Sequence, residues 1–154
     1  MELEVIFDEP RQCFIKITLP GFYGNTLRVR DWAGVLAPAT PLEYLERWRL
    51  SNELFEDDVR VLGLVSDYAG PRIAVAHPLV VGSRPEKVEI AEFMRQRGFL
   101  PVRDMNIFFD DDRDLLVSDA HAGNFLRNDD GQVFAIDVLP LKAPGKLLAF
   151  ALGF

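Results

Sequence analysis

Between Asn124 and Asp137 this chain has to double back on itself. Two β-like runs, 124–127 and 132–138, flank Asn128-Asp-Asp-Gly131, a turn built of residues that tolerate left-handed backbone. The pattern predicts a two-stranded ribbon with Asn124 and Asp137 at its two ends. Because the ribbon folds back, those side chains can be brought to one place. Just before it runs a tight loop, Asp119-Ala-His121-Ala-Gly-Asn124. No other stretch spaces metal-capable and proton-accepting groups in this way. An Asn amide and an Asp carboxylate offer the hard oxygen donors that magnesium takes, and Asp119 is placed to accept a hydroxyl proton. The same residue types also serve ordinary turns, where their side chains bond local backbone. Spacing alone leaves both roles open.

The rest of the chain bounds the answer by exclusion. Its 154 residues suffice for one domain, or for two small lobes, with a buried interior. A net charge of −7 disfavours phosphate backbones, so nucleic acid is not the expected partner. Cys13 is the only cysteine, which excludes an intrachain disulfide and a cysteine metal cage and fits a cytoplasmic location. The N-terminus carries acids where a secretory signal carries basic residues, and no apolar run is long enough to span a membrane. The last eight residues, Leu147 to Phe154, are apolar. They are expected to pack on the domain or on a partner, or to mark a cut within a longer polypeptide.

An α+β chain is expected. Residues 2–8 and 12–19 form a hairpin across Asp8-Glu-Pro10-Arg, and 20–39 read as loop with one edge strand. Thr40-Pro41-Leu42-Glu43 combines a cap, a first-turn proline and a capping-box glutamate. It starts a helix running to about Phe55, with Tyr44, Leu45, Trp48, Asn52 and Phe55 on its buried stripe. A second hairpin spans 58–66 and 72–81. After the Gly82-Ser-Arg-Pro85 joint, a second helix runs from Glu86 to about Arg97 and stops at Gly98. Two β pieces, 106–109 and 115–118, flank Asp110-Asp-Asp-Arg-Asp114. That acidic turn lacks the glycine and glutamate of a calcium loop and reads as surface.

The loop resembles the aminoglycoside and choline kinase branch of kinase-like folds, whose signature is Asp-x-His-x-x-Asn followed by Ile-Asp. Over about residues 12–140 the chain is similar to the kinase-like domain of bacterial and phage polyvalent proteins. That resemblance is carried by Ala39-Thr-Pro-Leu-Glu-Tyr-Leu-Glu-Arg47, Asn52-Glu-Leu-Phe-Glu-Asp-Asp58 and Ser118–Asn124 through Ile136-Asp-Val138. It implies a compact two-lobed fold: a β-rich amino-terminal lobe (1–79), a hinge (80–85) and a reduced carboxy-terminal lobe (86–154). It also implies ATP and Mg²⁺ as ligands and an unidentified hydroxyl as phosphate acceptor. Asp119 takes the place of the catalytic base, Asn124 and Asp137 those of the magnesium ligands, and His121 that of a residue ordering the loop or approaching the γ-phosphate. Lys16 matches the phosphate-binding lysine, Glu46 its helical partner with Glu53 behind it, and Val80 lies in the hinge that meets adenine.

The chain departs from the pattern in having no glycine among residues 1–15 and Val117 where a bracing histidine is usual. A catalytically inactive module that binds a partner is the alternative function.

Overall fold

Thr40 opens the first helix as its sequence predicts. In the computed structural model, which describes residues 3–31, 33–102 and 106–143, the Thr40 hydroxyl accepts the Glu43 N–H at 3.2 Å. The Glu43 carboxylate in turn accepts the Thr40 N–H at 3.1 Å. This reciprocal box starts α1 (Pro41–Phe55). The helix ends where Glu56 turns left-handed at φ 56°, and the Asn52 amide then clamps Val59 through both its N–H and its carbonyl, each at 2.8 Å.

The described residues divide into two compact units, one drawn from residues 3–26 and 36–79, the other from residues 27–35 and 80–143. In the first unit, β1 (Leu3–Asp8), β2 (Cys13–Thr18), β5 (Arg60–Asp67) and β6 (Gly70–Pro78) form an antiparallel sheet in the order β1-β2-β6-β5. Its core joins Tyr44 and Trp48 of α1 to Val59, Ile73 and Val75. Thr18 is buried at the end of β2, and its hydroxyl accepts the Ile73 N–H at 2.9 Å. The edge strand β5 carries a bulge between Val61 and Gly63.

In the second unit, β7 (Leu100–Pro101), β8 (Phe108–Asp110), β9 (Leu115–Ser118) and β12 (Leu139–Lys142) form a sheet ordered β12-β9-β8-β7. Leu27, Val102, Ile107, Leu116 and Ala143 make its core. Helix α2 (Lys87–Arg95) buries Ile90, Phe93 and Met94. The ribbon of β10 (Phe125–Arg127) and β11 (Val133–Ala135) is present, and Phe125 meets Phe93 edge-on with ring centroids 6.0 Å apart.

Several expectations need correction. Residues 20–39 hold a hairpin, β3 (Asn25–Arg30) with β4 (Ala33–Pro38), rather than one edge strand. The return run 132–138 is interrupted: β11 ends at Ala135 and a new strand, β12, starts at Leu139. On α1, Asn52 is only half-buried, while Leu50, Ser51 and Leu54 are buried. The apolar tail from Leu147 lies outside the described residues. Among the described residues, no helix is long and apolar enough to cross a membrane.

Candidate active site

Two strand registers converge on Asp137. In the ribbon the Ile136 N–H donates to the Asn124 carbonyl at 2.9 Å, one step beyond the Phe125↔Ala135 pair. In the neighbouring sheet Leu139 pairs with Ser118, the residue directly before Asp119. Residues 136–138 therefore bridge two anchored rungs, with Asn124 at one and Asp119 beyond the other. Asp137 is the middle residue of that bridge and is half-buried.

The loop from Asp119 to Asn124 is folded by its own polar groups. Asp119 adopts a left-handed backbone at φ 55°, a conformation Asp tolerates better than most residues. It is followed by an Ala120 N–H bonded to the Asn106 carbonyl at 2.9 Å. His121 caps a single 3-10 turn (Ala122–Asn124) by accepting the Gly123 N–H on Nδ1 at 3.1 Å. An accepting Nδ1 leaves the proton of the neutral ring on Nε2, which faces Asp119 Oδ1 at 3.3 Å. In that tautomer the 3.2 Å approach of Asn124 Nδ2 to Nε2 brings two donors together and is not a hydrogen bond. A Cβ at Gly123 would stand 2.9 Å from the imidazole, so the capping ring would have to shift.

Asn124 is oriented by two acceptors. Its Nδ2 donates to the Asp119 carbonyl at 2.7 Å and to Asp119 Oδ2 at 3.1 Å. That choice fixes which end of the amide is nitrogen and leaves Oδ1 with no donor among the described residues. An amide oxygen left without a donor in this way is a hard ligand of the kind magnesium takes. Asp119 and His121 remain open to solvent, with side chains 59% and 48% exposed. Among the described residues, no group of three His, Cys, Asp or Glu side chains forms a metal cage.

The remaining sequence-predicted residues, Lys16 and Glu46 of the first unit and Val80 of the second, sit as follows. Lys16 lies mid-strand in β2, opposite Val5 and Val75, with Nζ 5.4 Å from the centre of the buried Trp48 ring. Glu46 receives a fork from Arg49, Nε to Oε2 at 2.8 Å and Nη2 to Oε1 at 2.7 Å, and Arg49 also reaches Glu53 at 2.7 Å. The hydrogen bond to Glu46 is the main cause that raises the Arg49 guanidinium above its ordinary value. Both side chains are about half exposed, so the pair adds little stability. Val80 is half-buried and follows the end of β6, outside regular structure.

Two further features of the second unit were not legible in the sequence. Arg127 on β10 donates to Glu89 of α2 at 2.8 Å. The Glu89 carboxyl is held below its usual range, chiefly by the Glu86 N–H and then by Arg127. The 82–83 segment is also bonded to β10, with Ser83 N–H to the Arg127 carbonyl at 2.9 Å and the reverse bond at 2.7 Å. Gly82 is needed for that approach, since a Cβ would lie 2.4 Å from the Arg127 carbonyl oxygen. The one signal in the sequence is the Gly82-Ser-Arg-Pro85 joint itself.

Residues 23–141 match the family model described as a serine/threonine/tyrosine kinase found in polyvalent proteins. No curated protein and no solved structure matches the chain. The matched span takes in Glu46, Val80, Asp119, His121, Asn124 and Asp137, while Lys16 precedes it. With most of its length matched in this way, the chain belongs to the serine/threonine/tyrosine kinase family found in polyvalent proteins.

Proposed function

We propose that the protein binds ATP with magnesium and transfers the terminal phosphoryl group to a hydroxyl acceptor. The observation that carries this is the convergence of Asn124, Asp137 and Asp119 on one short stretch through two strand registers. Asn124 Oδ1 and the Asp137 carboxylate would hold the cation. Magnesium there would neutralise charge on the phosphates and orient them. Asp119, exposed and acceptor-only when ionised, takes the proton of the attacking hydroxyl. His121 orders the loop by capping its turn and steadies Asp119 through Nε2. In the first unit, Lys16 is the proposed cation for the nucleotide phosphates and Glu46 its proposed helical partner, and Val80, at the start of the second unit's main segment, opens the proposed adenine-binding segment. A β-rich lobe (1–79), a hinge (80–85) and a reduced lobe (86–154) are the proposed parts of a kinase-like fold.

Isothermal calorimetry with ATP and Mg²⁺, on wild type and on Asp137→Ala, tests the nucleotide site. Magnesium-dependent binding that disappears in the variant supports it, and an absence of binding by wild type rejects it. Transfer of radiolabel from γ-labelled ATP to mixed serine, threonine and tyrosine peptides, by wild type but not by Asp119→Ala, then establishes catalysis. Binding without transfer would favour the inactive module, whose motivation is that residues 1–15 hold no glycine to cover the phosphates.

A further inference from the structure

Arg84 stands apart from the arginines around it. In the same unit, Arg95 binds Glu92, Arg113 binds Asp110 and Arg127 binds Glu89. Arg84 is exposed and has no carboxylate or hydrogen-bond partner among the described residues, in a chain with more acids than bases. Its backbone is nonetheless anchored. Ser83 is doubly bonded to β10, Gly82 packs against the same strand, and Pro85 restricts the backbone that follows. Its Nη2 lies 3.7 Å from the point where a Cβ of Gly123 would be, over the turn between His121 and Asn124. A guanidinium with no partner among the described residues thus lies beside the loop that carries Asp119.

A second observation concerns the same loop. A cavity of roughly 580 Å³ opens between α2 and the 106–108 strand entry, lined by Lys87 and Asn106 and by apolar residues that include Val88, Ile90, Phe108 and Ala122. Ala122 is the residue before Gly123, and Val88 follows Arg84 by four residues. A largely apolar cavity and an arginine therefore both border the same 3-10 turn. A planar guanidinium suits carboxylate recognition in a forked geometry. An apolar cavity of this size takes one or two hydrophobic side chains.

Building on the kinase reading above, we propose that the acceptor hydroxyl is presented by an acidic peptide segment. Arg84 binds a carboxylate next to the phosphorylated residue, and the cavity takes an adjoining apolar side chain. Arg84 is here a specificity-determining residue, distinct from those that hold nucleotide or proton.

The probes are fluorescein-labelled serine nonapeptides that share one leucine and differ only in flanking residues: Asp and Glu, Gln, or Lys. Fluorescence anisotropy gives binding, and γ-labelled ATP gives transfer. Wild type should favour the acidic peptide over the Gln peptide by about tenfold or more, with the preference shrinking as salt rises. Arg84→Ala should bring the two within about twofold, Arg84→Lys should keep part of the preference, and Arg84→Glu should reverse it toward the Lys peptide. An acid preference that persists in Arg84→Ala overturns the inference. So does a parallel loss of ATP affinity in calorimetry, which would make Arg84 a nucleotide contact. If wild type binds magnesium-ATP yet ignores peptide charge, the inference fails and the kinase reading stands. If ATP is not bound at all, anisotropy on the acidic peptide still decides what Arg84 does.

Discussion

Two aspartate-bearing turns lie within a dozen residues of each other in the second unit, and they spend their carboxylates differently. In the turn from Asp110 to Asp114, Asp110 is buried, accepts the Asp112 N–H at 3.0 Å and the Arg113 N–H at 3.2 Å, and takes Arg113 Nε at 2.5 Å. Every bond closes the turn on itself. In the loop from Asp119 to Asn124, the carboxylate meets only an imidazole and an amide and stays open to water. The first turn uses its acid as structure. The second holds its acid with an imidazole and an amide and leaves the carboxylate facing water, as a proton acceptor or cation site requires. Acidic residues alone therefore do not mark a site; what matters is whether the fold has already consumed them.

That contrast is open to mutation. The largest effect is expected at Asp119: Asp119→Asn should lower phosphoryl transfer by about 10²–10⁴-fold while the thermal midpoint barely moves, because the side chain is exposed. Asp110→Ala should do the opposite. Removing a buried acceptor from two backbone donors and a guanidinium should cost about 1–3 kcal/mol in denaturant unfolding, with transfer per folded molecule retained. Gly82→Ala falls between the two classes. The Cβ contact with the Arg127 carbonyl should destabilise the second unit by about 1–3 kcal/mol, and should weaken the contrast by shifting the 82–84 segment beside the loop.

The smallest effect is a pH signature away from either turn. Arg95 and Gln96 hold the Glu92 carboxyl down to about 2, from an ordinary 4.5. A lowered carboxyl contributes stability above 4.5 that is lost as pH falls toward about 2. Glu92→Gln should flatten that acid limb slightly in unfolding curves, and NMR titration of Glu92 reads the shift directly.

What the sequence made legible was local. Thr40, Pro41 and Glu43 announce α1 because a capping box closes within one turn. The turn at 128–131 announces the ribbon because its residues sit at fixed offsets. The strands β3 and β4 were hidden by the glycines and prolines of 20–39. The strand β12 was hidden by Pro140, and its pairing depends on β9, some twenty residues earlier. Asp119, His121 and Asn124 were recognisable as a motif, but the bracket around Asp137 needs two registers that no local pattern contains. Arg84 was not legible at all, since its place beside Gly123 comes from the contact of 82–83 with β10.

The comparison of the two turns is tested most directly by NMR, with Mn²⁺ in place of Mg²⁺. In the presence of ATP, substoichiometric Mn²⁺ should broaden the amide signals of Asn124, Ile136 and Asp137 first, and leave Asp112 and Arg113 sharp. Broadening centred on residues 110–114, with Asn124 and Asp137 unaffected, would contradict the account.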